Sequence, residues 1–242
     1  MVETTKDAQA GPDLGIYRSV QVLSAEQHRQ LRVAPMDRLD FAQPVTDCLL
    51  TVDEFYAAAR SQPIVFAKGE GGKQFAAALL GIGRRKNWFV DDAGRWKSGE
   101  YMPAFLRRYP FVFVNDGDTS YMGVDAACSA VNEQTGERLF DDEGKPTDYA
   151  RKMLSFLQDY EAANLRTTAF VAELARLKLL ESIVIQKWVG YQAPLLTGIQ
   201  RVTEARLDRL PQEERDKLVD NGYYKLIIAH LISLGHVERL SK

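Results

Sequence analysis

Residues 148–180 read DYARKMLSFLQDYEAANLRTTAFVAELARLKLL, and no other stretch says as much about how the chain folds. Tyr149, Met153, Phe156, Leu157, Tyr160, Thr168, Val171, Leu174 and Leu177 recur at threes and fours, and neither Gly nor Pro interrupts them. That period is the signature of a helix with one apolar face. At 1.5 Å per residue it would extend roughly 45 to 50 Å, more than the width of a small domain. Such a helix either forms the spine of the fold or breaks between Ala162 and Thr167, where the apolar stripe thins. A coiled coil is not expected, because no strict a/d heptad is kept. Just upstream, LFDDEGKPTD (139–148) reads as an exposed turn, with Thr147 or Asp148 placed to cap the helix.

Working outward from the helix, the preceding sequence is cut into short apolar runs by turn residues. VQVLSAEQHRQLRV (20–33) begins as a strand and turns at Ser24 to Gln27. TVDEFYAAARSQP (51–63) is a short helix, acidic at its start and basic at Arg60, stopped by Pro63. PIVFAKGEGGKQFAAALLGIG (63–83) is a hairpin around Gly69 to Gly72. Its glycines lack the spacing of a phosphate-binding loop. NWFVDDAGRW (87–96) reads as a strand, a turn on Asp91 to Gly94 and a return through Trp96. YMPAFLRRYP (101–110) is a short helix ended by Pro110, and FVFVND (111–116) pairs with SYMGVD (120–125). After the long helix, SIVIQKWVG and PLLTGIQRVT form a hairpin around Gln192 to Pro194, followed by helices at 211–219 and 223–240. The fold class is α+β, with antiparallel strands concentrated in the first half and the long helix and C-terminal helices packed on them. Residues 1–18 are expected to be a mobile tail and 19–242 a single domain.

The chain has 242 residues, with 31 Lys+Arg against 33 Asp+Glu, a net charge of −2 and a pI near 6.0. With 45% hydrophobic and 26% charged residues it is neither disordered nor fibrous. Near-neutral charge removes nucleic acid and anionic membrane as default partners. No signal-peptide core is visible and no run approaches a membrane span; LIIAHLISLGHV (226–237) is short and interrupted by His230 and His236. A soluble, cytoplasmic protein is expected. Cys48 and Cys128 stand in unrelated contexts and read as separate thiols in a reducing compartment.

Chemistry is harder to find. His28, His230 and His236 make no HExxH, and there is no GxSxG, GxGxxG or CxxC. No catalytic residue, metal or cofactor is assigned. The acidic groups Asp91-Asp92, Asp116-Gly117-Asp118 and Asp141-Asp142-Glu143 resemble fragments of a calcium loop but do not complete its ligand pattern, so they read as solvated turns. Arg84-Arg85-Lys86 before Trp88 reads as an exposed connection. The densest constellation is WFVDDAGRWKSGEYMPAFLRRYPFVF (88–113), where Trp88, Arg95, Trp96, Tyr101, Arg107, Arg108 and Tyr109 form the candidate binding set. Aromatic rings give contact area at low entropic cost and Arg a planar donor fork, the composition of a surface that recognises a peptide, a carboxylate or a partner protein. The plainer reading makes the aromatics core and the arginines its snorkelling rim.

At these residues the sequence resembles the SapC family of bacterial proteins. PIVFAKG, NWFVDDAGRW with YMPAFLRRYPFVFV, LFDDEGKPT, RTTAFVAELARLKLLE and IIAHLISL carry the likeness, which covers nearly all the chain beyond the N-terminal tail. The resemblance implies an association with bacterial surface layers or an accessory role beside outer-membrane uptake systems, and brings no catalytic residues. The absent signal peptide sits badly with a surface lattice, which would need a signal-independent export route. The expectation is therefore a non-enzymatic accessory or binding protein with a protein or peptide partner. The alternative is an enzyme acting on a peptide or amino acid near residues 88–113, with Arg107 or Arg108 holding a carboxylate and Asp91 or Asp92 as base.

Overall fold

The periodic stretch folds as one unbroken helix of 29 residues, Asp148–Arg176, about 43 Å long. It does not break between Ala162 and Thr167, because the two small residues there face inward rather than out. Ala163 and Thr167 are both buried; Thr167 donates its hydroxyl to Ala163 O (2.7 Å) and accepts the Val52 N–H (2.9 Å). Thr147 is the residue that caps, accepting the Ala150 N–H at 3.2 Å. At the other end Leu179 N bonds Leu174 O and Lys178 N bonds Ala175 O, with Lys178 left-handed at φ 56°. This is a Schellman stop, in which buried Leu174 and Leu179 supply the accompanying apolar contact.

A computed structural model describes residues 15–82, 86–186 and 195–241. In chain order its first elements are β1 (Val20–Val22), α1 (Ala25–His28), β2 (Arg32–Val33), β3 (Asp47–Leu49), α2 (Phe55–Ala58), β4 (Ile64–Lys68), β5 (Gln74–Leu79) and α3 (Ala104–Arg107). There follow β6 (Phe111–Asp116), β7 (Thr119–Asp125), β8 (Val131–Asn132), β9 (Glu137–Arg138), the long helix α4 (Asp148–Arg176), β10 (Leu180–Gln186) and β11 (Leu195–Val202). The chain closes with α5 (Glu204–Asp208), α6 (Gln212–Asp220) and α7 (Tyr223–Ser233), which tightens into a 3-10 turn from Leu234. The class is α+β, as the sequence indicates. The connection expected around Gln192 to Pro194 and the basic pair Arg84-Arg85 lie outside the described residues.

The chain divides into two compact units, each drawn from two stretches. The first takes residues up to Asp37 and 108–159; the second takes 38–107 and 160–242. The first holds the antiparallel sheets β1-β7-β6 and β8-β2-β9. Its interior begins before the expected end of the tail: Ile16 and Tyr17 are buried, and Tyr17 donates its hydroxyl to Phe111 O at 2.7 Å. Buried Asp125 organises this unit, accepting the N–H groups of Arg18, Ser19 and Ala127 and the Tyr109 hydroxyl.

The second unit is built on the sheet β10-β11-β4-β5-β3. Ile64, Val65 and Phe66 of β4 are fully buried. Phe170 of α4 is the hub above them, its ring centroid 5.7 Å from Phe55, 6.2 Å from Phe66 and 5.1 Å from Tyr223. Pairing of β4 with β11 stops after Ala67 and Phe66 meet Ile199 and Gln200. Continued, that register would set Ile64 against Val202, but the His230 ring of α7 stands between them. His230 Nδ1–H donates to Ile64 O (2.8 Å) and Nε2 accepts from Val202 N (3.0 Å). The ring must be neutral to do both.

Residues 87–96 do not form the two strands expected. Val90 and Trp96 make a single antiparallel bridge, because Phe89 N–H is held by Asn87 Oδ1 and Asn87 N–H by Gln43 O. The turn between is tied by Asp91, whose Oδ1 accepts the N–H groups of Ala93 and Arg95. Residues 139–147 repeat this construction. Asp141 Oδ1 accepts from Glu143 and Lys145, Phe140 bridges Pro146, and Gly144 at φ 79° stands where Gly94 stands at φ 78°. Only glycine enters that left-handed region freely.

Two outcomes test this account. Lys178→Gly should raise stability by roughly 1 kcal/mol in chemical denaturation, since it removes a side chain from a left-handed site. His230 is pushed by burial from 6.5 down to about 4, so the unfolded chain binds its proton first. Stability from this group is complete above pH 6.5 and is lost as pH falls toward about 4, by ~3 kcal/mol. His230→Gln, which keeps a donor and an acceptor but cannot titrate there, should flatten that part of the stability profile.

Candidate functional site

The second unit gathers most of the sequence-derived candidates around Phe89, which is fully buried. Trp88 meets it edge-on at 5.2 Å and Trp96 stacks on it at 5.5 Å with an interplanar angle of 13°. Stacking leaves Trp96 half-buried, its Nε1–H donating to Glu100 O at 3.1 Å. Trp88 is also half-buried and carries two cations: Lys97 Nζ lies 3.3 Å from its ring centroid and Arg239 Cζ 5.0 Å. Such contacts contribute about 0.5 to 2 kcal/mol each, more as water is excluded. Arg239 is held by Glu100 at 2.7 Å. Burial pushes the Lys97 ammonium below its ordinary range, and the charges of Arg239 and Lys86 add to that while Glu100 and Asp91 oppose it.

Tyr101 and Arg107 are set by a second group. Glu54 is buried, and its Oε2 accepts from Thr51 N and Thr51 Oγ1 (3.0 and 2.8 Å). Its Oε1 accepts from the Tyr101 hydroxyl (2.9 Å) and from Ala104 N (2.6 Å), the first amide of α3. One carboxylate thus closes two helix starts. Arg107, exposed on α3, donates to the Tyr101 hydroxyl at 3.2 Å and to Met102 O at 3.0 Å. Desolvation first, then the charge of Glu54, pushes the Tyr101 phenol up to about 12.

Arg95 is exposed and pairs loosely with Asp91 at 3.6 Å. Arg108 and Tyr109 belong to the first unit, where both are buried. There Tyr109 bonds Asp125 at 3.0 Å, its ring 5.3 Å from Tyr17, and burial drives its phenol pKa upward. Within the second unit, Trp88 and Trp96 flank one ring, Tyr101 and Arg107 bond one another, and Arg95 stands on the turn beside them. Sequence reading overlooked Lys97, Glu54, Glu100 and Arg239. Lys97 lies inside the quoted stretch, but Arg239 follows Trp88 by some 150 positions and no local signal links them.

The Asp91-Asp92 pair is committed elsewhere. Backbone hydrogen bonding, chiefly from Arg95, holds Asp91 below the usual carboxylate range, and Asp92 pairs with Lys86 at 3.2 Å. Among the described residues no three His, Cys, Asp or Glu side chains form a group able to hold a metal ion. Cys48 and Cys128 are both buried and form no disulfide. No helix among the described residues is long and apolar enough to cross a membrane.

Glu54 is the part of this arrangement most open to measurement. Glu54→Gln turns an amide nitrogen toward one pair of donors and should cost roughly 2 kcal/mol in denaturation, whereas Tyr101→Phe should cost about 1 kcal/mol. Phenolate absorbance should show one tyrosine, absent from Tyr101→Phe, ionising near 12. Because the folded state keeps that proton, its contribution to stability is full below pH 10 and declines as pH rises toward about 12.

The SapC family model matches residues 23–240. No curated protein and no solved structure matches the chain. The match spans nearly the whole sequence, and the chain belongs to the SapC family.

Proposed function

We propose that this SapC family protein is a non-enzymatic accessory or binding protein that recognises a carboxylate-bearing segment of a protein or peptide partner through the Trp88 patch. The observation behind this is the placing of Lys97 and Arg239 on one half-exposed indole. Glu100 pairs with Arg239 and Asp92 with Lys86, whereas Lys97 lies on the ring face. A surplus positive charge held against an aromatic face suits a carboxylate, with the indole contributing apolar contact. Arg95 and Arg107 extend the cationic character outward from the patch.

The enzymatic alternative has less behind it. Its proposed base Asp91 is spent on its own turn and held acidic. Of its two proposed clamps, Arg108 is buried in the first unit, while Arg107 is exposed in the second and bonded to Tyr101 and Met102 O. Family membership supports a place near a bacterial surface layer or an outer-membrane uptake system, and two buried cysteines without a disulfide fit residence in the cytoplasm. Cell-surface display by a signal-independent route is the competing location, which fractionation separates.

Native pull-down from cells, repeated with Trp88→Ala and Lys97→Glu, tests the reading. Each variant should lower recovery of the bound partner at least tenfold while circular dichroism shows it still folded at the temperature of the assay. Undiminished recovery, or a wild-type protein that brings down no partner, would refute it.

A further inference from the structure

A second surface, of different chemistry, lies between α2 and α7. These helices wall a cavity of about 580 Å³ whose lining includes Tyr56, Arg60, Lys225, Ile228, Ile232 and His236. Its apolar members are unusually open to solvent: Tyr56 is 57% exposed, Ile228 37% and Ile232 66%. Scattered exposed apolar residues need no explanation, but several that line one concavity mark a binding surface. Lys225, Ile228 and Ile232 follow one another at three and four along α7, so they form one stripe down its outer side. The groove has a fixed floor, since His236 Nε2–H donates to Ala59 O at 3.1 Å.

The charges define what fits. Arg60 comes from the α2 wall and Lys225 from the α7 wall. Neither side chain has an ion-pair or hydrogen-bond partner among the described residues, and no Asp or Glu lines the cavity. In a chain of net charge −2 this is a locally basic groove with one cation on each side. An alkyl carboxylate has a single head and could satisfy only one of them. An α-helix with an apolar stripe and acidic residues on both flanks satisfies both, and its anchors at i, i+3 or i+4, and i+7 match an apolar groove about three turns long. We propose that the α2–α7 groove docks an amphipathic, acid-flanked helix of a partner protein. This surface uses none of the residues of the Trp88 patch.

The test uses the full chain and two fluorescently labelled, end-blocked 14-residue alanine-based peptides with Leu on one stripe. One carries Glu on both flanks and its twin carries Lys. By anisotropy the Glu peptide should bind at least tenfold more tightly than its twin. Measured in the Trp88→Ala background, which removes the other acidic-peptide site, Ile232→Glu should weaken it at least tenfold, and Arg60→Glu together with Lys225→Glu should reverse the preference between the twins. All these positions except Trp88 are at the groove rim, and thermal unfolding checks that each variant remains folded. Equal affinity for the two peptides, or indifference to Ile232→Glu, overturns the proposal. So does tight binding of sodium dodecanoate without binding of the Glu peptide, which would make the groove an acyl site. Sedimentation showing self-association that Ile232→Glu abolishes would overturn it in favour of a second copy of this chain.

Discussion

A backbone amide or carbonyl that enters the interior outside a helix or sheet must still find a partner, and the described fold depends on how this chain meets that requirement. Ile64 is the central case. It sits fully buried in β4 at the point where pairing with β11 has stopped, and both its polar groups are taken by α7. Its N–H goes to Ser233 Oγ at 2.8 Å and its C=O to His230 Nδ1 at 2.8 Å. The helix is therefore fixed to the sheet by direction as well as by apolar contact. Because α7 also forms one wall of the basic groove, the same two bonds fix the groove's shape.

The device recurs wherever irregular chain runs through the interior. Glu54 closes the starts of two short helices, Thr167 takes the Val52 amide, Asn87 bonds Ala42 O, and Asp125 gathers three amides in the first unit. These bonds are not the main source of stability. A satisfied hydrogen bond contributes about 1 kcal/mol net, whereas burial of a Phe side chain such as Phe170 contributes roughly 2 to 3 kcal/mol. The polar groups matter through the cost of losing them, since each buried donor left unpaired costs 1 to 3 kcal/mol. Apolar burial drives collapse; the buried carboxylates and His230 decide which collapsed arrangement is tolerated.

That division explains what could be read in advance. The helix α4 and the hairpins β4-β5 and β6-β7 carry their signal locally, in a 3.6-residue period or in a glycine turn between apolar runs, and all are where the sequence puts them. Of the two alternatives for α4, an unbroken spine or a break between Ala162 and Thr167, the helix is unbroken, because Ala163 and Thr167 look weak as apolar residues yet their small size lets them face inward at close approach. The strands expected at 87–96 failed because Asn87 and Asp91 take amides that a longer ladder would have used. Glu54 completes a Thr51-x-x-Glu54 capping box that is legible locally, but its bonds to Tyr101 and Ala104, like the partners of His230 and Arg239, lie between 28 and 166 positions away and nothing periodic connects them. The interleaving of two units from four stretches of chain is equally non-local.

The Trp88 patch departs from this economy, and that departure is the reason to regard it as more than core. The buried carboxylates of Glu54 and Asp125 are surrounded by donors that match them. Here Lys97 is partly desolvated and lies beside the guanidinium of Arg239, and both cations meet the same indole. Glu100 bonds Arg239 directly, while Lys97 lies against the ring with Glu100 and Asp91 acting on it by charge alone. An aromatic face offers a cation less than a carboxylate does at the same distance. Under the proposed role, the selectivity of this face for acidic segments follows from that imbalance together with the apolar contact of the indole.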